Sequence, residues 1–174
     1  MKTPIESIVP VLGFAAFSGT GKTTLLKSLL PLLKREGLRI GVVKHSHHRF
    51  EIDKPGKDSY ELRKAGAAEM LIASGSGWAL MADTEERGDP SLNAMLARMD
   101  QSALDLVLVE GFRHEHFPKI ELHRAALGKP LLFPDDPWII ALATDGILPQ
   151  PSKLPLLDIN DVRAVTRFIV SRLA

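Results

Sequence analysis

Apolar and polar residues alternate in blocks along this chain, and the period of the alternation changes from block to block. Val9–Phe17 is a short apolar run that predicts a buried strand, and it ends at a loop with two glycines. Thr23–Arg35 follows with leucines at spacings of three and four, which is typical of an amphipathic helix. Pro31 lies inside that stripe and removes one helical hydrogen bond, so we expect a kink or an early stop there.

The later blocks continue the alternation of strands and helices. Leu106–Val109 and Trp138–Ala143 are uninterrupted apolar runs, which indicates strands that are buried on both faces. Glu69–Ala73 and Trp78–Ala82 flank a Ser-Gly-Ser-Gly sequence and predict a β-hairpin. Strands are also predicted at Arg39–His45 and Lys119–His123, and helices at Asp58–Ala65 (capped by Asp58 or Ser59), Ser91–Met99 and Asp161–Leu173 (capped by Asn160). Together these elements predict an α/β fold with a mostly parallel sheet and a small hairpin extension.

The composition is that of an ordinary globular protein and narrows the classes of function. The 174 residues fit a single domain over residues 1–174, and 45% of them are hydrophobic and 25% charged. The absence of cysteine excludes disulfides and thiolate metal sites and fits a cytoplasmic location. The net charge of +1 predicts no strong attraction to nucleic acid or a membrane surface, and the longest apolar run near the start is too short to span a bilayer. A bound polyanion must therefore be held by a local arrangement of donors.

Residues 16–24 read AFSGTGKTT and match the relaxed phosphate-binding loop, in which alanine or glycine is followed by four residues and then Gly-Lys-Ser/Thr. Gly19 and Gly21 would let backbone N–H groups converge on phosphate oxygens. Lys22 would supply a cation and Thr23 a hydroxyl for Mg²⁺, at the positive end of the following helix. The predicted nucleotide-binding set in this loop is Ser18, Gly19, Thr20, Gly21, Lys22, Thr23 and Thr24.

Magnesium on a nucleoside triphosphate usually needs a carboxylate from a neighbouring strand end. The segment LDLVLVEGF offers Asp105 at the start of a predicted strand and Glu110 at its end. Because ligands bind at the carboxyl ends of the strands in such sheets, Glu110 is the predicted metal ligand and, with Lys22, the predicted catalytic residue. A strand-end carboxylate in solvent is the alternative for Glu110.

A loop rich in histidine and lysine follows the strand at Arg39–His45. We predict that its charged residues form a rim beside the nucleotide, which would accept a second phosphorylated ligand or an acidic surface of a partner. The rim consists of Lys44, His45, Asp53, Lys54 and Lys57, with Arg113, His114 and Lys119 as an extension. A metal site at His45, His47 and His48 is an alternative, although the spacing matches no standard zinc pattern.

Five segments, spread along nearly the whole chain, resemble the MobB family of molybdopterin-guanine dinucleotide biosynthesis adaptor proteins. They are AFSGTGKTT, VVKHSHH, DKPGKDSYELRKAGA, LDLVLVEGFRHE and LLDINDV. The resemblance implies a P-loop NTPase fold with three α/β/α layers, GTP and Mg²⁺ as ligands, weak intrinsic GTPase activity and a homodimer. It implies two partners as well, the MobA-like guanylyltransferase that joins GMP to molybdopterin, and molybdopterin itself.

The sequence departs from most GTP-binding proteins because it has no clear N-K-x-D motif. Asp145, which follows a predicted strand, is the nearest candidate to accept hydrogen bonds from guanine, and a turn carboxylate before Gly146 is its alternative. Two other functions remain open, a metal-inserting GTPase chaperone and a small-molecule P-loop kinase, although Thr84–Pro90 holds only one arginine for a kinase lid. A dimer would form through the hairpin at Gly75 or through the strand Lys119–His123.

Overall fold

The computed structural model describes residues 4–46, 50–83 and 88–173. The chain divides into two compact units, a larger one of Met1–His45 with Pro90–Ala174 and a smaller one of Ser46–Asp89. The single domain over residues 1–174 stays a prediction. In chain order the elements are β1 (Val11–Ala15), α1 (Lys22–Arg35), β2 (Ile40–Lys44), α2 (Asp58–Lys64), β3 (Glu69–Ser74), β4 (Gly77–Ala82), α3 (Leu92–Leu96), β5 (Leu106–Glu110), β6 (Lys119–His123), β7 (Ile139–Thr144), β8 (Leu156–Asp158) and α4 (Val162–Val170).

The larger unit contains a six-stranded sheet in the order β2-β5-β1-β6-β7-β8, and every pairing in it is parallel. The smaller unit contains α2 and the antiparallel pair of β3 and β4, which is the predicted hairpin. The α/β class, the parallel sheet and the hairpin extension are therefore confirmed. None of the helices in the described part of the chain has the length and apolar character that crossing a membrane requires.

The core of the larger unit lies on both faces of the sheet. Along β5, Leu106 and Leu108 pack in the cluster that contains the buried leucines of α1 and the buried face of α4. Val107 and Val109 pack on the opposite face, in the cluster of α3. An uninterrupted apolar strand is expected when helices or other segments cover both faces, so the three layers follow from this run.

Two sequence expectations about helix ends are wrong, and a third is wrong in part. The helix α1 does not stop at Pro31 but continues to Arg35, because its leucine stripe stays buried on both sides of the proline. A kink at Pro31 stays a prediction. Lys57, with an extended backbone and no side-chain bond, precedes α2, so neither Asp58 nor Ser59 is its cap. The cap of α4 is Asp161, whose carboxylate accepts the N–H of Ala164 at 2.9 Å. The three-residue strand β8 was not predicted, since it is too short to show a period.

The strand β6 lies inside the sheet between β1 and β7, so it has no free edge with which a second copy could pair. The predicted dimer through Lys119–His123 is therefore wrong. Only 1% of Lys119 is exposed, and it cannot extend a surface rim. Its ammonium group donates hydrogen bonds to the carbonyls of Arg113 and Glu115 at 3.0 and 2.7 Å and lies 2.9 Å from the carboxylate of Asp136. The pattern of Lys119–His123 is therefore that of a buried strand with polar anchors.

Glu121 and His123 continue this set, which we call the β6 polar stripe (Lys119, Glu121 and His123). The carboxylate of Glu121 accepts the N–H groups of Leu132 and Phe133 at 2.7 and 2.8 Å, and the ring of His123 contacts the carbonyl of Lys129 at 3.2 Å. Burial raises the pKa of Glu121, while the two N–H donors oppose that shift. Lys119 thereby satisfies carbonyls of the segment before β6, and Glu121 and His123 contact backbone groups of the segment before β7.

Candidate functional site

The predicted phosphate loop joins the end of β1 to the start of α1 through residues 16–21. Gly19 and Gly21 have φ angles of 84° and 93°, a backbone region that residues other than glycine rarely adopt. Thr20 is buried, and its hydroxyl donates to the carbonyl of Phe17 at 2.8 Å, which ties the loop to its own beginning. The glycines and this internal bond set a loop shape in which main-chain N–H groups can face an anion.

The first turn of α1 carries the charge pattern of an anion site. Gly21 is the N-cap and provides no side-chain hydrogen bond, and the turn contains no acidic residue. The first N–H groups of a helix lack partners within it, and the helix dipole places partial positive charge there. Lys22 and Thr23 occupy the first two positions of this turn. The loop and the helix start therefore favour phosphate groups.

Glu110 lies beside this turn, as the strand-end argument predicts. The hydroxyl of Thr23 donates to its Oε1 atom at 3.2 Å, and the ammonium group of Lys44 lies 3.5 Å from its Oε2 atom. Asp105 lies at the other end of β5, where the guanidinium of Arg39 holds its pKa down at about 2. A hydroxyl and a carboxylate thus converge at one point, and these are oxygen ligands that Mg²⁺ accepts.

The chain reverses sharply after Glu110. Gly111 has φ 100° and Phe112 has φ 51°, so two consecutive residues adopt the left-handed region. A Cβ on Gly111 would lie 2.7 Å from that of His45, and the rings of His45 and Phe112 are 4.8 Å apart. Only glycine therefore fits at position 111 while His45 packs there, and Lys44 and His45 are placed near the predicted metal ligand.

The other members of the predicted rim belong to the smaller unit. Asp53, Lys54 and Lys57 precede α2, and the Oδ1 atom of Asp53 accepts the N–H of Lys54 at 2.9 Å. The five-residue rim stays a prediction. His47, His48 and Thr84–Arg87 lie outside the described residues, and within residues 4–46, 50–83 and 88–173 no group of three or more acidic or histidine side chains is arranged to hold a metal.

Asp145 follows β7 at the same sheet edge, and both of its oxygens are engaged. Its Oδ2 atom accepts from the guanidinium of Arg124 at 2.8 Å, and its Oδ1 atom accepts the N–H of Ala125 at 3.1 Å. The bond from Arg124 and that from Ala125 lower the pKa of Asp145, which stays ionised at neutral pH. Arg124 also reaches Asn160 and the carbonyl of Thr20 in the phosphate loop.

Sequence reasoning missed Arg124 and misplaced Asn160 as a helix cap. A signal for Arg124 is present, since it directly follows the strand KIELH and the carboxyl ends of parallel strands meet at one edge. A cavity of about 550 Å³ elsewhere is lined by Val9, Phe117 and Trp138, at the starts of their strands. It lies at the sheet edge opposite Glu110, so we do not assign it to this site.

Comparisons with known proteins support one family. The family model described as "Molybdopterin guanine dinucleotide synthesis protein B" matches residues 11–145. The chain is 51% identical over 166 residues to the molybdopterin-guanine dinucleotide biosynthesis adapter protein of Escherichia coli K12, covering 95% of this chain and 94% of that one. It is 42% identical to the Haemophilus influenzae protein of the same name, covering 92% and 88%. A crystal structure of molybdopterin-guanine biosynthesis protein B superposes with a TM-score of 0.74 at 27% identity and covers 94% of this chain and 98% of that one.

Proposed function

The chain belongs to the family of molybdopterin guanine dinucleotide synthesis protein B, and on that premise we propose that it binds GTP with Mg²⁺ at its phosphate loop. It is an adapter protein of molybdopterin-guanine dinucleotide biosynthesis. The proposal adds a nucleotide, a metal ion, slow hydrolysis, a cytoplasmic location and a guanylyltransferase as partner. The observation that supports it best is the 3.2 Å contact between Thr23 and Glu110 at the start of α1.

The residues present fit a magnesium nucleotide. Thr23 and Glu110 would hold the ion, which would neutralise charge on the phosphates. Lys22 would bind the outer phosphate oxygens, and the N–H groups from Gly19 onward would bind the inner ones. Lys44 lies near Glu110 and balances its negative charge.

Hydrolysis at this site would be slow. An arginine that reaches the transferred phosphate contributes about 10³-fold or more in related enzymes. Arg124 lies beside the loop, but its guanidinium is bound to Thr20, Asp145 and Asn160. A long-lived GTP complex suits a protein that acts by binding a guanylyltransferase or molybdopterin, with Lys54 and Lys57 of the predicted rim as contact residues.

We expect Glu110→Gln to weaken binding of Mg²⁺-GTP by about 10-fold or more, because the metal loses a charged ligand. Binding of GTP in the presence of EDTA should change much less. Isothermal titration calorimetry with Mg²⁺ and with EDTA measures both quantities. Asp105→Asn is the matched control, since it removes a carboxylate from the opposite end of the same strand. Equal affinity and equal metal dependence in Glu110→Gln would contradict the assignment.

We propose a homodimer through one face of the hairpin. Leu71 pairs with Leu80 across the strands, and Trp78 lies two residues from Leu80 on the same side, with 70% of it exposed. A contiguous apolar face of this kind marks an interaction site. A second copy would cover the face with the same residues, as a two-fold interface requires.

We expect Trp78→Glu to convert the dimer to a monomer, because a charge would enter the centre of the apolar interface. Size-exclusion chromatography with light scattering at micromolar concentration measures the mass. Ile147→Glu is the control, since Ile147 is 95% exposed outside the hairpin. A dimer that persists in Trp78→Glu would refute this interface.

A further inference from the structure

Arg124 connects three parts of the nucleotide-facing edge of the larger unit. Its Nε atom donates to the carbonyl of Thr20 at 3.0 Å, and its Nη1 atom donates to Asp145 at 2.8 Å. Nη1 and Nη2 both donate to the Oδ1 atom of Asn160, at 3.2 and 3.3 Å. The acceptors lie in the phosphate loop, after β7 and before α4, so one side chain joins three segments that are distant in sequence.

The chemistry of this contact requires arginine. The planar guanidinium presents five donors in a fixed fork and can hold acceptors on three sides at once, whereas a lysine ammonium is a point charge on a flexible stem. The side chain of Arg124 is 33% exposed, so its bonds are partly shielded from water. Its Nη2 atom lies 3.9 Å from the position that a Cβ on Gly21 would take, which places the positive charge against the phosphate loop.

Asp145 depends on this contact for its orientation. Arg124 holds one carboxylate oxygen and the N–H of Ala125 holds the other. A carboxylate oxygen can accept more than one hydrogen bond, so a fixed Asp145 retains acceptor sites for a base. Thr20 and Asp145 cannot shift independently while Arg124 binds both.

We propose that Arg124 is a positioning residue that couples the phosphate loop to Asp145, so that the affinity for the triphosphate and the preference for guanine both depend on it. This inference rests on the proposed function, since it assumes a nucleotide at the loop. A surface ion pair would not change both the affinity for the triphosphate and the preference for guanine, whereas Arg124 is expected to change both.

The test is Arg124→Lys, which keeps the charge and removes the fork. Three Mg²⁺-loaded probes are titrated by calorimetry, GTP, ATP and inorganic tripolyphosphate, which has no base. We expect the affinity for tripolyphosphate to fall about 5- to 10-fold, and the affinity for GTP to fall further, so that the GTP-to-ATP ratio moves towards one. Arg39→Lys is the matched control, because Arg39 makes a similar two-point contact with Asp105 at the opposite sheet edge.

The outcomes separate this inference from the function on which it rests. If the unsubstituted protein binds none of the probes, the proposed function fails. If the unsubstituted protein binds and Arg124→Lys keeps both its affinity and its GTP-to-ATP ratio, the proposed coupling is wrong while the function stands. A loss that is equal for GTP and ATP also overturns the coupling. Should Arg124→Lys not fold, Asn160→Ala removes one acceptor of the same guanidinium and should shift both quantities in the same direction, to a smaller extent.

Discussion

Lys22→Ala is expected to weaken GTP binding by about 100-fold, since a charge-assisted contact with phosphate contributes roughly 2–3 kcal/mol. The ammonium group is the only side-chain cation that the phosphate-loop pattern supplies, and Lys22 is the first residue of α1. Isothermal titration calorimetry with Mg²⁺ measures the loss. The thermal midpoint of the protein without nucleotide should stay unchanged, because Lys22 is not part of the core.

Lys27→Ala is the matched control for this prediction. Lys27 lies on the same helix and is exposed. Its replacement by alanine therefore removes the same charge but leaves the proposed phosphate contact of Lys22 in place. Undiminished GTP binding by Lys22→Ala would mean that the loop does not hold a triphosphate. The proposed function would then be refuted together with the role of Glu110.

Lys119→Met is expected to destabilise the protein by about 3–5 kcal/mol, the usual effect of removing one partner from a buried ion pair. Asp136 would lose its cation, and two carbonyls would lose a donor. For a chain of this size the thermal midpoint would fall by roughly 6–20 °C. Calorimetric or circular-dichroism melting measures the shift.

Lys153→Met is the control, because Lys153 is exposed and its loss should change stability by less than about 0.5 kcal/mol. If Lys119→Met melts at the same temperature as the control, the ion pair with Asp136 does not stabilise the fold. A surface position for Lys119, as the sequence suggests, would give that result.

The sequence predicts the fold, and the place of the glycine loop and of Glu110 in it, because these features depend on local patterns. Strand, glycine loop and helix stand together in residues 9–35, and the position of Glu110 follows from the direction of β5. The proximity of Glu110 to Thr23 follows from the same argument, since parallel strands bring their carboxyl ends to one edge of the sheet. These are properties of period, chain direction and spacing.

The β6 polar stripe and the contacts of Arg124 could not be predicted in the same way. The alternation in KIELH is typical of a strand with one solvent face, whereas here the polar side chains are buried and hydrogen-bond to backbone groups of neighbouring loops. The partners of Arg124 lie at Thr20, Asp145 and Asn160, and no local spacing relates these positions. Long-range hydrogen bonds leave no period in the sequence.

The strand order also has a consequence for how the chain is made. Within the six-stranded sheet, β1 and β2 are translated before the other strands, and they do not pair with each other because β5 lies between them. Val11 pairs with Val107 and Ile40 with Leu106. Neither strand can therefore pair with β5 until residues that follow the whole of the smaller unit have been translated. Until then the loop at residues 16–21 has no finished sheet beside it, and a nascent chain arrested before β5 also lacks the carboxylate of Glu110.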